Sequence, residues 1–216
     1  MSIVFNAADH SYVSLNDEGI EWISVTTLIS HFKKPFNAKA VAEKVSKNKR
    51  SKWFGIDPKK IQEIWDAEAL RAVTLGTYYH NQREADICAL ASMERDGTTI
   101  PVIKPVDEIN GLKYAPIQKL EPGVYPEHMV YLKSVGICGQ SDLVEVVNNM
   151  VNIIDYKTNK EIKKESYVDW EGVSDKLMEP LSSLDDCNFY HYALQLSVYM
   201  YIILKHNPKL KPCKKF

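Results

Sequence analysis

Gly139-Gln140-Ser141-Asp142-Leu143-Val144-Glu145-Val146-Val147-Asn148-Asn149-Met150-Val151-Asn152-Ile153-Ile154-Asp155-Tyr156-Lys157-Thr158 is the stretch whose reading decides the fold. Two apolar runs flank Asn148-Asn149, a turn signal, which predicts strands over 136–147 and 150–157 folded antiparallel on each other. Alternate side chains share a face of a strand, so Asp155 and Lys157 point one way and Tyr156 the other. Asp142 and Asp155 stand at similar distances from the turn and approach each other across the hairpin, subject to register. Two carboxylates brought together repel unless a cation neutralises them, and hard oxygen donors suit Mg²⁺ or Mn²⁺. With a lysine beside them to orient or deprotonate a water, this is equipment for metal-assisted phosphodiester hydrolysis. The plain alternative for Asp155 and Lys157 is an exposed edge ion pair contributing ~0–1 kcal/mol.

Working outward, G-x-x-D, a turn and apolar-apolar-D-Y-K-T resemble the core of the PD-(D/E)XK nuclease superfamily, with Ser141 standing where the family name has proline. Gly76-Thr77-Tyr78-Tyr79-His80-Asn81-Gln82-Arg83-Glu84 is similar to the G-x-x-x-H-x-x-x-E helix of its RecB-like and phage-type exonuclease branch. His80 and Glu84 would lie one turn apart on one helix face. Gln195-Leu196-Ser197-Val198-Tyr199 resembles the Q-x-x-x-Y helix of the same branch, and Glu127 sits where members often place an acid on the preceding strand. Taken singly, His80 reads first as a surface or core histidine and Gln195 and Tyr199 as polar tips of a core helix, while Glu127 is equally an exposed strand end.

The resemblance spans about residues 65–204 and implies a restriction-endonuclease-like core. It implies one or two Mg²⁺ or Mn²⁺ ions held by His80, Asp142, Asp155 and the backbone carbonyl of Tyr156. Lys157 would orient the attacking water, Gln195 and Tyr199 would border the catalytic area, and Glu127 would support it or hold a second ion. Products would carry 5′-phosphate and 3′-hydroxyl ends. Some RecB-like nucleases hold an iron–sulfur cluster through one cysteine before the histidine helix and three near the C-terminus. Here no cysteine precedes His80 and only Cys213 follows Tyr199, so no cluster is expected.

The rest of the 216 residues predicts an α/β (α+β) chain, a central mixed sheet flanked by helices. The expectation is one nuclease domain: an N-terminal elaboration over 1–64, the core over 65–204 and a basic tail over 205–216. Tyr12–Leu15 and Ile20–Val25 read as strands about the turn Asn16-Asp17-Glu18-Gly19, and Ser24 or Thr26 as the cap of a short helix reaching Phe32. Residues from Ala38 favour helix; Gly55-Ile56 breaks it. Asp57 then caps a helix with Pro58 in its first turn, running on or restarting through Gly76 to about Met93. Residues 96–118 read as irregular, and Asp185–Leu204 as a long helix.

Apolar residues make up 45% and charged residues 25%, the balance of a globular protein. No apolar run approaches the ~20 residues of a membrane span, and the N-terminus lacks a basic-then-apolar leader, so a cytoplasmic location is expected, in a bacterial host if phage-encoded. The four cysteines show no C-x-x-C spacing, against a zinc ribbon or redox pair. Net charge is −1, yet residues 31–60 carry ten basic side chains and two acidic ones. Lys44, Lys47, Lys49, Arg50 and Lys52 are therefore candidates for a phosphate-facing wall, with a solvated helix face as the plain alternative. DNA, as single strands or duplex ends, is the expected partner, beside a recombination or replication protein. A DNA-end exonuclease leads; a structure-specific or nicking endonuclease and a non-cleaving nucleic-acid-binding module on a nuclease fold remain alternatives.

Overall fold

The computed structural model describes residues 3–6, 9, 11–15, 19–106, 109–168 and 172–213. The turn expected at 16–19 and the tail lysines 214 and 215 lie largely outside them. The chain opens with β1 (Ile3–Asn6), β2 (Ser11–Ser14) and β3 (Ile23–Ser24), followed by α1 (Val25–Ser30). Ser24 caps α1, its hydroxyl accepting from the Thr27 amide at 3.0 Å. Asn37 does the same for α2 (Ala38–Lys47). α3 (Pro58–Cys88) begins as the sequence predicts, with Asp57 Oδ1 accepting from the Lys59 amide at 2.7 Å and Pro58 in the first turn. It runs unbroken through Gly76 for 31 residues, about 46 Å at 1.5 Å per residue.

Helix α3 stops at Cys88 rather than near Met93, because the next residues form a hairpin. In it β4 (Ser92–Arg95) pairs with β5 (Thr98–Pro101) around Asp96-Gly97, whose φ values of 47° and 72° suit a primed turn. The region read as irregular therefore holds β5 and also β6 (Leu112–Tyr114). Then come β7 (Gly123–Leu132), β8 (Ile137–Val147), β9 (Met150–Ile154), α4 (Asn188–His206) and β10 (Lys211–Pro212). Asn148 and Asn149 make the expected turn between β8 and β9, both at positive φ.

The architecture is mixed α+β, a curled sheet flanked by helices. Strand β8 is its centre. Antiparallel β7 covers one edge of β8 over its length; the other edge is shared. Antiparallel β9 takes residues 143–147 of it and parallel β3 takes 137–138, which leaves residues 139–142 without a strand partner on that side. β10 joins β9 in parallel. The expected pairing of Tyr12–Leu15 with Ile20–Val25 does not form: β2 pairs with β1, β1 with β6, and Ile23 with Ile137. A lone two-stranded ribbon is marginal, whereas this arrangement builds three strands and buries Ile3 against Met129 and Cys138.

Helix α4 lays Tyr199, Ile202 and Ile203 against Val130, Val144, Val146 and Val151 on one face of the sheet, with Val25 and Ile29 of α1 joining them. The C-terminal end of α3 brings Ile87 to Val124, Leu143 and Val147 on the other. Ile61 and Ile87, near the two ends, are the buried side chains of α3, so its middle is a solvent-exposed strut. No helix among the described residues is long and apolar enough to cross a membrane.

Candidate active site

Asp142 stands in the open part of the β8 edge. Strand β9 ends at Ile154, opposite Leu143, so the chain leaves the ladder before Asp155, three residues earlier than the strand expected from sequence. Two residues past the strand end an amide is taken by a side chain instead: Tyr156 N donates to Asp142 Oδ2 at 2.5 Å. Asp155 does come within electrostatic reach of Asp142, as the hairpin reading expects.

Across the other edge, Glu127 is placed by a distortion. Pro126 pairs with Leu143 and His128 with Ser141, but the intervening Glu127 and Asp142 make no ladder pair, and Glu127 has φ of 47° in mid-strand. A non-glycine residue in that region is uncommon and costs of order 1–3 kcal/mol. The facing of β8 shifts at the same point. A Cβ at Gly139 would meet Tyr199 on the α4 side, as Val144 and Val146 do, although an odd and an even position should face opposite ways. Consecutive Asp142 and Leu143 both turn towards α3. The slip in alternation thus aims two acids from neighbouring strands at one helix face.

That face carries His80. Its Nδ1 lies 3.2 Å from Asp142 Oδ1, and its Nε2 lies 2.9 Å from the Tyr156 carbonyl. A carbonyl only accepts, so Nε2 carries the hydrogen, and in the neutral ring Nδ1 presents a lone pair towards a carboxylate oxygen. Two acceptors facing each other need a proton or a cation between them. Ring-to-carbonyl bonding of this kind orients metal-ligating histidines. Ligand atoms of His80, Glu127 and Asp142 all lie within 4.8 Å of one another. One imidazole and two carboxylates form a donor set that Mg²⁺ or Mn²⁺ fits.

The electrostatics agree with an uncompensated site. Burial first, then the Asp142 and Glu84 charges, push the Glu127 carboxyl up to about 8, while Gln140 Nε2 donates to it at 2.6 Å. Burial and the neighbouring Asp155 raise Asp142 above the usual carboxylate range. Each of these is relieved by a cation.

Asp155 itself is not among the residues whose ligand atoms converge. It pairs with Lys157 Nζ at 2.5 Å and is nearly buried, its side chain 4% exposed. Lys157 sits over the Tyr192 ring at 4.8 Å, and the Tyr192 hydroxyl donates to Asn159 Oδ1 at 2.7 Å. The structure thus unites His80, Glu127 and Asp142, places Asp155 and Lys157 alongside, and gives the Tyr156 carbonyl to His80.

Gln195 and Tyr199 lie one turn apart on α4, as their spacing predicts, with Gln195 Nε2 donating to the Tyr199 hydroxyl at 3.2 Å. Tyr199 is buried against Gly139 and bonded by the Gln140 backbone; burial lifts its phenol to about 12. Its place is that of a strut behind β8.

Lys44, Lys47, Lys49, Arg50 and Lys52 are all exposed, but not beside the cluster. Their lobe packs on the first half of α3, where Phe36 and Trp53 flank Trp65. Trp65 precedes His80 by about 22 Å along the helix axis. Gln140 and Tyr192 are the residues the sequence reading missed. Gln140 carried a readable signal, two positions before Asp142; the Tyr192 contact depends on how α4 meets residues 155–159, which no local pattern encodes.

No protein-family model matches this chain, and no curated protein or solved structure matches it.

Proposed function

We propose that the chain is a metal-dependent deoxyribonuclease that hydrolyses phosphodiester bonds, acting on DNA ends as an exonuclease. The observation that carries this is the convergence of His80, Glu127 and Asp142 within 4.8 Å beside the Asp155–Lys157 pair. The order of the motifs, His80 helix, Glu127 strand, Asp142, Asp155 with Lys157, then Gln195 and Tyr199, supports it by its resemblance to RecB-like exonucleases.

His80 Nδ1 and oxygens of Glu127 and Asp142 would hold one Mg²⁺ or Mn²⁺ ion. Bound there, such an ion polarises a phosphate and makes a bound water more acidic. The chain's own groups do the rest. His80 is fixed in its tautomer by the Tyr156 carbonyl. Gln140 holds the Glu127 carboxylate in place. Asp155 and the Tyr192 ring hold the Lys157 ammonium, which orients the attacking water and stabilises charge developing on the phosphate.

The test is end-labelled linear and circular DNA, single- and double-stranded, with Mn²⁺ or EDTA. Metal-dependent loss of linear but not circular DNA is expected. Lys157→Ala should cost about 100-fold or more in rate, and Asp142→Asn should abolish both cleavage and Mn²⁺ binding by calorimetry. Cutting of circles would make it an endonuclease, and binding without cutting a non-cleaving module.

A further inference from the structure

At Glu127 and Gln140 the cluster of His80, Glu127 and Asp142 adjoins a cleft of about 750 Å³. Its floor is β7 around Tyr125–Met129, and its walls are the segments 103–106 and 113–119. It meets α3 at Glu84 and Cys88, near the helix's C-terminal end, whereas the basic α2 lobe packs on its first half. Two features of its lining differ from an ordinary surface groove.

The first is charge. Lys104, Lys113 and Lys119 line it, and none has an ion-pair partner among the described residues. Lys113 lies close enough to Glu127 to pull its carboxyl back towards ionisation. Acids also line the cleft, but Glu84 and Glu127 stand together at the end next to His80 and Asp142, so over the remainder three lysines face one acid, Glu121.

The second is exposed apolar surface. Ile103, Val106 and Ile117 are all among the chain's exposed large hydrophobics, Ile117 at 81%. Tyr114 stands beside them in the same lining. Apolar side chains gathered in a concave site mark a ligand surface. Lysines with aromatic and apolar faces between them are what an unpaired nucleic-acid strand requires, phosphates for the one and base faces for the other. A duplex keeps its base faces stacked inside and offers them to no such surface.

We propose that this cleft binds an unpaired end of a nucleic-acid strand, with Lys104, Lys113 and Lys119 on its phosphates and Tyr114 and Ile117 against its bases. The scissile phosphate then falls at the Glu127 end. Placing the reacting phosphate there rests on the nuclease reading above; the binding itself does not.

The experiment is fluorescence anisotropy in EDTA, where no cleavage occurs, with a labelled oligothymidine and a blunt duplex of equal length across a range of salt. Wild-type protein is expected to favour the single strand. Lys113→Ala/Lys119→Ala should bind it at least tenfold more weakly. The log–log salt slope should become shallower by about 1.4, since each phosphate contact on a single strand contributes about 0.7. Lys44→Glu/Lys47→Glu/Lys49→Glu should bind as wild type does. Unchanged binding by the double lysine variant, duplex preferred over single strand, or no binding of either by wild type each overturns the proposal. A protein that shows the expected binding but cuts nothing with Mn²⁺ keeps the cleft and removes the nuclease. One that cuts while the lysine variant binds normally does the reverse.

Discussion

Gly139 and Tyr192 show how much single residues around the cluster decide. A methyl group at Gly139 would lie 2.6 Å from the Tyr199 ring, which is buried and backed by α4, so neither side can yield cheaply. Gly139→Ala should destabilise the fold by about 1–3 kcal/mol, the usual cost of overpacking, read as a lower urea midpoint at unchanged slope. A midpoint equal to wild type would show that Tyr199 can move. Tyr192 acts through Lys157. Losing a cation–π contact of ~0.5–2 kcal/mol should slow turnover between about twofold and thirtyfold in Tyr192→Leu. Tyr192→Phe keeps the ring and should recover most of the rate, and Mn²⁺ affinity should be the same in all three. Equal loss in the Phe and Leu variants would assign the effect to the hydroxyl bond with Asn159 instead. At this scale His80, Asp142, Asp155 and Lys157 were legible as motif positions and not through strand period, since β9 ends before Asp155 and Asp142 shares a face with Leu143 against alternation. Glu127 was found by its position in a motif; that it leaves the ladder at positive φ was not readable, since alternation presumes a regular strand.

Helix starts were the most legible elements. Ser24 and Asp57 are caps whose side chains serve the next amides, a contact within three residues that sequence order contains. Hairpin turns were legible on the same ground at Asn148-Asn149. Asp96-Gly97 carried an equally strong signal inside a stretch read as irregular. What failed was pairing at a distance: nothing local in Ser11–Ser14 tells it to prefer β1 over Ile20–Val25, and burial of Ile3 decides it. The long helix α3 offers a test of its own. Gly76 lies mid-helix at ordinary φ, and a Cβ there would meet Thr158 Oγ1 at 3.7 Å, plain van der Waals contact. The glycine is therefore not sterically required, and Gly76→Ala should stabilise the protein by about 0.5–1 kcal/mol through helix propensity. A fall in melting temperature would mean that the chain at Thr158 approaches more closely in solution.

For the molecule as a whole, charge distribution was legible as a pattern but not as a place. Ten basic residues in thirty read as a wall, yet they fold onto the outer half of α3, and the lysines beside the cluster are scattered through 104–119. Buried titratable groups also set how the metal-free fold responds to pH. Burial holds the His128 imidazole down to about 4 from its ordinary 6.5, so the folded state excludes a proton that the unfolded chain accepts. Its neutral form is fully compatible with the fold above about pH 6.5, and stability is lost as pH falls from there towards 4. Glu127 has the opposite sign. Raised to about 8, it keeps a proton in the folded state that the unfolded chain releases near 4.5, so stability falls as pH climbs between those values. Asp142, also raised, acts in the same direction. From about pH 4.5 to 6.5 the histidine and the acids oppose each other; above 6.5 only the acids remain. Unfolding free energy in EDTA should therefore be nearly level over the first interval and decline from about pH 6.5 to 8. Glu127→Gln, which cannot ionise, should make that decline shallower. Saturating Mn²⁺ should do the same for wild type, because a cation compensates the two carboxylates it neutralises. Urea titrations at half-unit pH steps would measure all three curves. A Glu127→Gln protein that declines as steeply as wild type would mean that Glu127 ionises freely, and with it would go the case for a closely held, uncompensated pair of acids at the centre of the site.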